Sequence, residues 1–196
     1  IEEDLRFSPK YYSESVSTEF YWRKEGSLNE ALELCNGAGV CRKLSVSGGT
    51  MCPSYMATTD EKDSTRGRAN VFRQVFEGKE PDRFKSKELK EALDLCLSCK
   101  ACKSECPANV DMAKMKAEFM NGWHQNHRST VGEKFFVNSS KLYPLAALFP
   151  RFSNWVSGLE ITKKLLENIA GISSSRKLPE FSDQTFRSWW KSYKKK

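Results

Sequence analysis

Seven cysteines carry most of the chemistry this sequence can offer, and four of them lie in one run, Cys96-Leu-Ser-Cys99-Lys-Ala-Cys102-Lys-Ser-Glu-Cys106-Pro107. The spacing C-x2-C-x2-C-x3-C-P is one that wraps thiolates around a cubane of iron and sulfide. Two residues between cysteines let one short loop put three sulfurs on three corners of a cube. The fourth cysteine points away and serves a second cluster, so the run requires another set of thiols. Cys35, Cys41 and Cys52 supply it, and Cys52, like Cys106, is followed by a proline, Pro53. Crossed ligation predicts that Cys96, Cys99 and Cys102 share a first cluster with Cys52. Cys106 then joins Cys35 and Cys41 at a second, incomplete site. Two four-thiolate sites would use eight cysteines, and the chain has seven. The readings open for the second site are a three-iron cluster, a four-iron cluster with a ligand other than cysteine, and no cluster. His124 and His127 are the histidines available to fill the gap.

Zinc is the competing metal. Structural zinc takes two separated pairs of ligands in tetrahedral geometry, and four cysteines within eleven residues suit it poorly. Full disulfide pairing fails on the odd count. Reduced thiols point to the cytoplasm, or to the inner face of a membrane as a peripheral protein. No stretch approaches the roughly eighteen apolar residues of a membrane span, and no basic-then-apolar signal peptide opens the chain. It begins at Ile1, which suggests a piece of a larger polypeptide. The net charge of +7 and the tail Phe186–Lys196 allow an anionic partner, but a scattered basic excess is usually solvated, and no nucleic acid is expected.

The elements that must position these cysteines are helices. Ser27 and Glu30 form a capping box for a short helix with Leu28, Ala31, Leu32 and Leu34 apolar, which delivers Cys35. Ser86 caps a second helix, with Leu89, Ala92, Leu93 and Leu95 as its buried stripe, which delivers Cys96. Helix, cysteine loop, Cys-Pro and helix thus recur as a weak internal repeat. Residues 65–77 are predicted helical with Val71, Phe72, Val75 and Phe76 on one face. Arg66 and Arg68 at its start oppose the helix dipole, so they face something anionic or are merely solvated. Asn109 or Asp111 caps a helix over about 111–127, whose Met112, Met115, Phe119, Met120 and Trp123 form a core stripe. Gly37 and Gly39 let the backbone approach a cluster and aim N–H groups at its sulfurs; an ordinary helix stop at Gly37 is the plainer reading.

The expected organisation has four parts. Residues 1–26 are an extended linker with Tyr11, Tyr12, Phe20, Tyr21 and Trp22. Residues 27–137 are the core that holds both cysteine groups. Residues 138–172 are a helical extension whose apolar residues close that core, the alternative being an amphipathic surface for a partner domain or a membrane, and residues 173–196 are a basic, aromatic tail or linker. The fold class is mainly α, with few or no strands.

Four motifs in order give this chain a resemblance to a known family. They are Cys35-Asn-Gly-Ala-Gly-Val-Cys41-Arg42-Lys43, Gly49-Thr50-Met51-Cys52-Pro53-Ser54-Tyr55, Ser64-Thr65-Arg66-Gly67-Arg68-Ala69-Asn70 and Cys96-Leu-Ser-Cys99-Lys-Ala-Cys102. They resemble the iron–sulfur segment of FAD-linked oxidases, the flavin and iron–sulfur enzymes of the D-lactate, glycolate and D-2-hydroxyglutarate dehydrogenase type. Asp4-Leu5-Arg6-Phe7 resembles the junction after the flavin domains, and Phe186-Arg187-Ser188-Trp189-Trp190 the end of the helical module. The resemblance implies an α-helical ferredoxin fold, similar to half of the succinate dehydrogenase iron–sulfur subunit. There a C-x5-C group binds a three-iron cluster, and Cys35-x5-Cys41 has that spacing. The ten residues between Cys41 and Cys52, where that relative has three, are the departure.

The implied function is electron transfer: a 4Fe-4S cluster, and a possible second cluster, taking electrons singly from FAD on a domain outside this chain while a D-2-hydroxy acid is oxidised. The implied partners are that flavin domain, a C-terminal cysteine-rich domain, and a quinone or other acceptor. Arg42, Lys43, Lys100 and Lys103 would favour the reduced, more anionic cluster. No dinucleotide-type glycine fingerprint follows a strand, so FAD binding and a substrate site are not expected within these residues, whereas the intact protein would be an FAD-linked oxidoreductase. The rival functions are a redox sensor that loses its cluster on oxidation and a zinc-bound interaction module.

Overall fold

A computed structural model describes residues 16–77 and 82–195. Among these residues every regular element is a helix, and none is a strand. The chain divides into two compact units, Ile1–His127 and Arg128–Lys196. Residues 128–137, grouped by sequence with the cysteine core, thus belong to the second unit.

The first unit is built from α1 (Leu28–Glu33), α2 (Pro53–Thr58), α3 (Thr65–Glu77), α4 (Lys87–Asp94), α5 (Ala101–Glu105) and α6 (Met112–Asn126). The expected caps are in place: Ser27 Oγ accepts from Glu30 N–H at 3.1 Å, and Ser86 Oγ from Leu89 N–H at 3.2 Å. Between the two possible caps of α6 the chain uses Asp111, whose carboxylate accepts from Lys114 N–H at 3.0 Å. Each such cap is worth about 1 kcal/mol.

α3 is the central element and packs on α1, α4 and α6. Its Phe72 and Phe76 are fully buried with Leu28, Leu32, Leu89, Leu93, Met112, Met115 and Phe119. Phe72 meets Phe119 edge-on at 6.1 Å between ring centroids. Burial of each such side chain contributes about 1.5–3 kcal/mol, so the core around α3 holds the cysteine loops in place. Gly67 is required here. A Cβ on it would lie 1.9 Å from the Glu61 carbonyl oxygen, so only glycine lets the 60–63 turn close on α3. Leu95, expected in the buried stripe of α4, lies just beyond the helix end and is exposed.

The described part of the N-terminal arm is pinned to α6. The Glu118 carboxylate accepts from Glu19 N–H at 2.8 Å and Phe20 N–H at 2.9 Å, and the Lys114 ammonium lies 3.7 Å from the centre of the buried Trp22 ring. Asp4-Leu5-Arg6-Phe7, Tyr11, Tyr12 and Pro81 lie outside the described residues.

The second unit comprises α7 (Val131–Val137), α8 (Ser139–Ala146), α9 (Pro150–Gly158), α10 (Glu160–Ala170) and α11 (Phe186–Tyr193). Thr130 and Glu133 make a reciprocal capping box for α7. Asn154 joins the loop before α11 to α9 by two bonds with the Phe181 backbone, at 2.9 and 2.8 Å. Within this unit α8, α9 and α10 bury no side chain, and Leu148, Phe149, Phe152, Trp155 and Ile161 are exposed. Phe186, Trp189, Trp190 and Tyr193 stack on one another along α11.

Candidate metal centres

α1 and α4 each end two residues before a cysteine, and their last carbonyls are held in the same way. The Arg73 guanidinium donates to Leu32 O at 2.7 Å and Cys35 O at 2.8 Å. The Lys116 ammonium donates to Leu93 O and Cys96 O, both at 2.7 Å. A cation at a helix C-terminus complements the dipole, and here it also fixes the carbonyl of the first cysteine in each loop. Burial lowers the Lys116 pKa, against the pull of Cys96 and Asp94.

The cysteines converge on two voids inside the first unit. Cys52, Cys96, Cys99 and Cys102 line one, of about 20 Å³. Cys35, Cys41 and Cys106 line the other, also of about 20 Å³. Cys52 therefore sits with the run 44 residues downstream, while Cys106 leaves its own run. Each void has room for about one water molecule, so the thiols around it, and not its size, mark it as a site. Among the described residues no three Cys, His, Asp or Glu side chains converge closely enough to hold one metal ion. Thr65 lines both voids.

Two helix N-termini aim their free amides at these sulfurs. Ser64 Oγ accepts from Gly67 N–H at 2.8 Å, which satisfies the third amide of α3. The first two go to sulfur: Thr65 N–H donates to Cys52 Sγ at 3.0 Å and Arg66 N–H to Cys41 Sγ at 3.4 Å. The Thr65 hydroxyl adds a contact to Cys52 Sγ at 2.9 Å. α6 repeats the device: Asp111 takes the third amide, and the Met112 and Ala113 amides serve Cys102. Orphan amides at a helix start suit anions, and a thiolate bound to a cluster is one.

The proton affinities follow from these contacts. A hydrogen bond from Cys52 lowers the Cys41 thiol to about 6, burial opposes it, and the Arg66 amide helps. The Cys52 thiol is pushed up, first by its bond to Cys41 and then by burial. Burial also raises Cys102, against the Met112 and Ala113 amides. Uncompensated buried thiolates are costly; a metal cluster removes that cost. Two sets of converging thiols, with backbone amides directed at sulfur, fit iron–sulfur clusters.

Charged neighbours tie the loops together. The Glu105 carboxylate pairs with Lys43 and accepts from Thr50 N–H and Oγ, both at 2.7 Å. It thereby anchors the long segment between Cys41 and Cys52 to α5. These bonds, that from Lys43 first, hold Glu105 down at about 2. Arg68 is buried beside the first void and donates to Ala92 O at 2.8 Å and Ser54 Oγ at 3.0 Å, with Asp63 at 3.5 Å. Arg66 lines the second void and pairs with Glu61 at 2.7 Å. Both arginines at the start of α3 thus have structural anionic or polar partners. Of the cations expected to face the clusters, Lys43 is engaged by Glu105, Arg42 by Glu61 at 2.9 Å, and Lys100 lines the first void. His124 and His127 line neither void, and His127 stacks on Trp123 at 3.7 Å between centroids.

Residues 34–111 match the family model described as a 4Fe-4S dicluster domain. This segment is an iron–sulfur domain. The chain is 26% identical over 193 residues to the D-2-hydroxyglutarate dehydrogenase of Haemophilus influenzae, covering 82% of this chain and 18% of that protein. It is 34% identical over 97 residues to the probable glycolate oxidase iron-sulfur subunit of Bacillus subtilis, covering 47% of this chain and 21% of that one. The glycolate oxidase iron-sulfur subunit of Escherichia coli is 35% identical over 79 residues, 40% of this chain and 17% of the subunit. The chain thus spans about a fifth of the length of the curated relatives it matches. No solved structure matches it. The kinship of the dicluster domain with hydroxyacid-oxidising enzymes agrees with the four sequence motifs.

The donors around the sulfurs were largely hidden in the sequence. Ser64-Thr65 before an apolar stripe signals a helix start, yet nothing in it says that the start faces two cysteines. Arg73 and Lys116 carry no signal beyond being cations on amphipathic helices.

Proposed function

We propose that this chain is the electron-transfer module of a larger flavoenzyme that oxidises a D-2-hydroxy acid. Cys52, Cys96, Cys99 and Cys102 hold a 4Fe-4S cluster in this reading, and Cys35, Cys41 and Cys106 hold a second cluster. The observation that carries it is the exchange of the two Cys-Pro cysteines between loops, which leaves each void lined by thiols from both halves of the repeat. When bound, such clusters accept and release electrons one at a time.

The chain's own residues set where and how that happens. Cys99 is exposed while Cys102 and Cys52 are buried, so the first site is open to a partner at one corner. Leu95 and Leu97 are exposed beside it, an apolar rim suited to a docked domain. The amides of Thr65, Met112 and Ala113 stabilise added negative charge on sulfur and so raise the potential. Thr65 lines both voids and Cys41 touches Cys52, so the two sites share a wall one side chain thick.

The electrons come from FAD on a domain outside this chain and leave to a quinone or another acceptor; the relatives' length beyond the matched segment supports the first part. The cytoplasm, or the inner face of a membrane, is the compartment we assign from the free thiols. Among the described residues no helix is long and apolar enough to cross a membrane.

The test is iron, acid-labile sulfide and electron paramagnetic resonance on the protein and on two variants. Cys52→Ser should abolish the cluster of the 96–102 run, and Cys106→Ser the other one. Stoichiometric zinc without sulfide would sink the reading. Loss of the 96–102 cluster on Cys106→Ser instead of Cys52→Ser would overturn the ligand assignment.

A further inference from the structure

The two cysteine loops share one backbone, residue for residue. Cys35 N–H bonds Leu32 O and Cys96 N–H bonds Leu93 O, each three residues back. Two residues after the first cysteine, Gly37 and Ser98 have φ of 79° and 52°. Four residues after it, Gly39 and Lys100 have φ, ψ of 76°, 9° and 62°, 7°. The next turn closes identically: Arg42 N–H bonds Gly39 O and Lys103 N–H bonds Lys100 O, both at 2.9 Å. Between those two left-handed positions stands Cys99 in one loop and Ala38 in the other. Both are exposed, and each lines the void of its own loop. Serine and lysine hold the left-handed conformation in one loop at a cost that glycine avoids in the other.

We propose that Ala38 occupies the fourth-thiolate position of the second void, so that Cys35, Cys41 and Cys106 bind a three-iron cluster whose open corner faces solvent at Ala38. The inference rests on the two-cluster reading and adds to it the residue that sets the iron count. A methyl group cannot ligate. No His, Asp or Glu lines this void, and the Asn36 side-chain oxygen is taken by Ala38 N–H at 3.1 Å. In the first void the matching corner has its thiolate. The seven cysteines therefore divide as four and three because of one substitution within a repeated loop, and the long 42–51 segment is not the cause.

The experiment compares the wild-type protein with Ala38→Cys and Ala38→Val, each assembled anaerobically with iron and sulfide. Oxidised three-iron clusters hold three ferric ions, hence an odd electron count, and give a paramagnetic signal; oxidised four-iron clusters hold an even count and are silent. The wild type should contain about seven irons per chain and show the oxidised-state signal. Ala38→Val should keep both. Ala38→Cys should take up one further ferrous ion with one electron from dithionite, release the thiol proton, and lose the oxidised-state signal while gaining a second reduced-state one. A silent oxidised wild type with about eight irons overturns the proposal and leaves the two-cluster reading intact. About four irons per chain, unchanged by Ala38→Cys, overturns both. The wild-type spectrum decides the matter even if a variant folds poorly.

Discussion

On the two-cluster reading proposed above, replacing Thr65 by Val should lower the potential of the cluster at Cys52 and leave the other almost unchanged. Thr65 reaches Cys52 Sγ twice, through its amide at 3.0 Å and its hydroxyl at 2.9 Å. Valine keeps the amide and the shape, and removes only the hydroxyl. Hydrogen bonds to charged groups contribute about 1.5–3 kcal/mol. Both redox states of a cluster are anionic on sulfur, so only about a third of that, roughly 0.5–1 kcal/mol, distinguishes reduced from oxidised. With about 59 mV per 1.4 kcal/mol for a one-electron couple, the shift is about 20–40 mV downward. At the second void the relevant donor is the Arg66 amide on Cys41 at 3.4 Å, which the substitution leaves alone. The assay is a redox titration followed by paramagnetic resonance of each cluster, with Thr65→Ser as the control that keeps the hydroxyl and the wild-type potential. An upward shift, or equal shifts of both clusters, would refute the hydrogen-bond argument.

Three further outcomes follow from the geometry. Glu105 is held at about 2 by Lys43 and Thr50, below the usual ~4.3 of a glutamate. Its stabilising effect is therefore complete above about pH 4.3 and is lost as pH falls toward 2; Glu105→Gln should flatten the acid dependence of amide exchange at Thr50. Stripping the clusters with a chelator under reducing conditions should lower the melting temperature of the first unit and spare the second, because metal binding is coupled to folding only where the thiols lie; equal melting of apo and loaded protein, seen by calorimetry, counts against this. Arg68→Met should destabilise the protein by about 3–5 kcal/mol in denaturant titrations, since it leaves the buried Asp63 without its cation.

Local signals made much of the first unit legible. A capping serine followed by an apolar stripe marks α1 and α4, and both end where a cysteine must be presented. The crossed placement of Cys52 and Cys106 came from geometry: one short loop cannot set four sulfurs on one cube. The sequence also located the helix of residues 65–77 and raised the question of its two N-terminal arginines. What it left open was their partners, because Arg68 bonds Ala92 O, Ser54 and Asp63 from three separate segments. Long-range polar contacts of that kind have no periodicity to read.

The second unit shows the opposite lesson. Leu145, Leu148, Phe149, Phe152 and Trp155 form as apolar a segment as any in the chain, and closure of the core was the natural reading. A hydrophobic stripe records that one face avoids water, and it carries no mark of which surface covers that face. In α3 the stripe is answered by stripes on α1, α4 and α6 within the same unit, so it is buried. In α8, α9 and α10 the unit supplies too few partners of its own, and the same kind of residue stays exposed. The cysteine repeat escapes this ambiguity because each loop names its own partner: each void is lined by thiols from one loop and by the Cys-Pro cysteine of the other half.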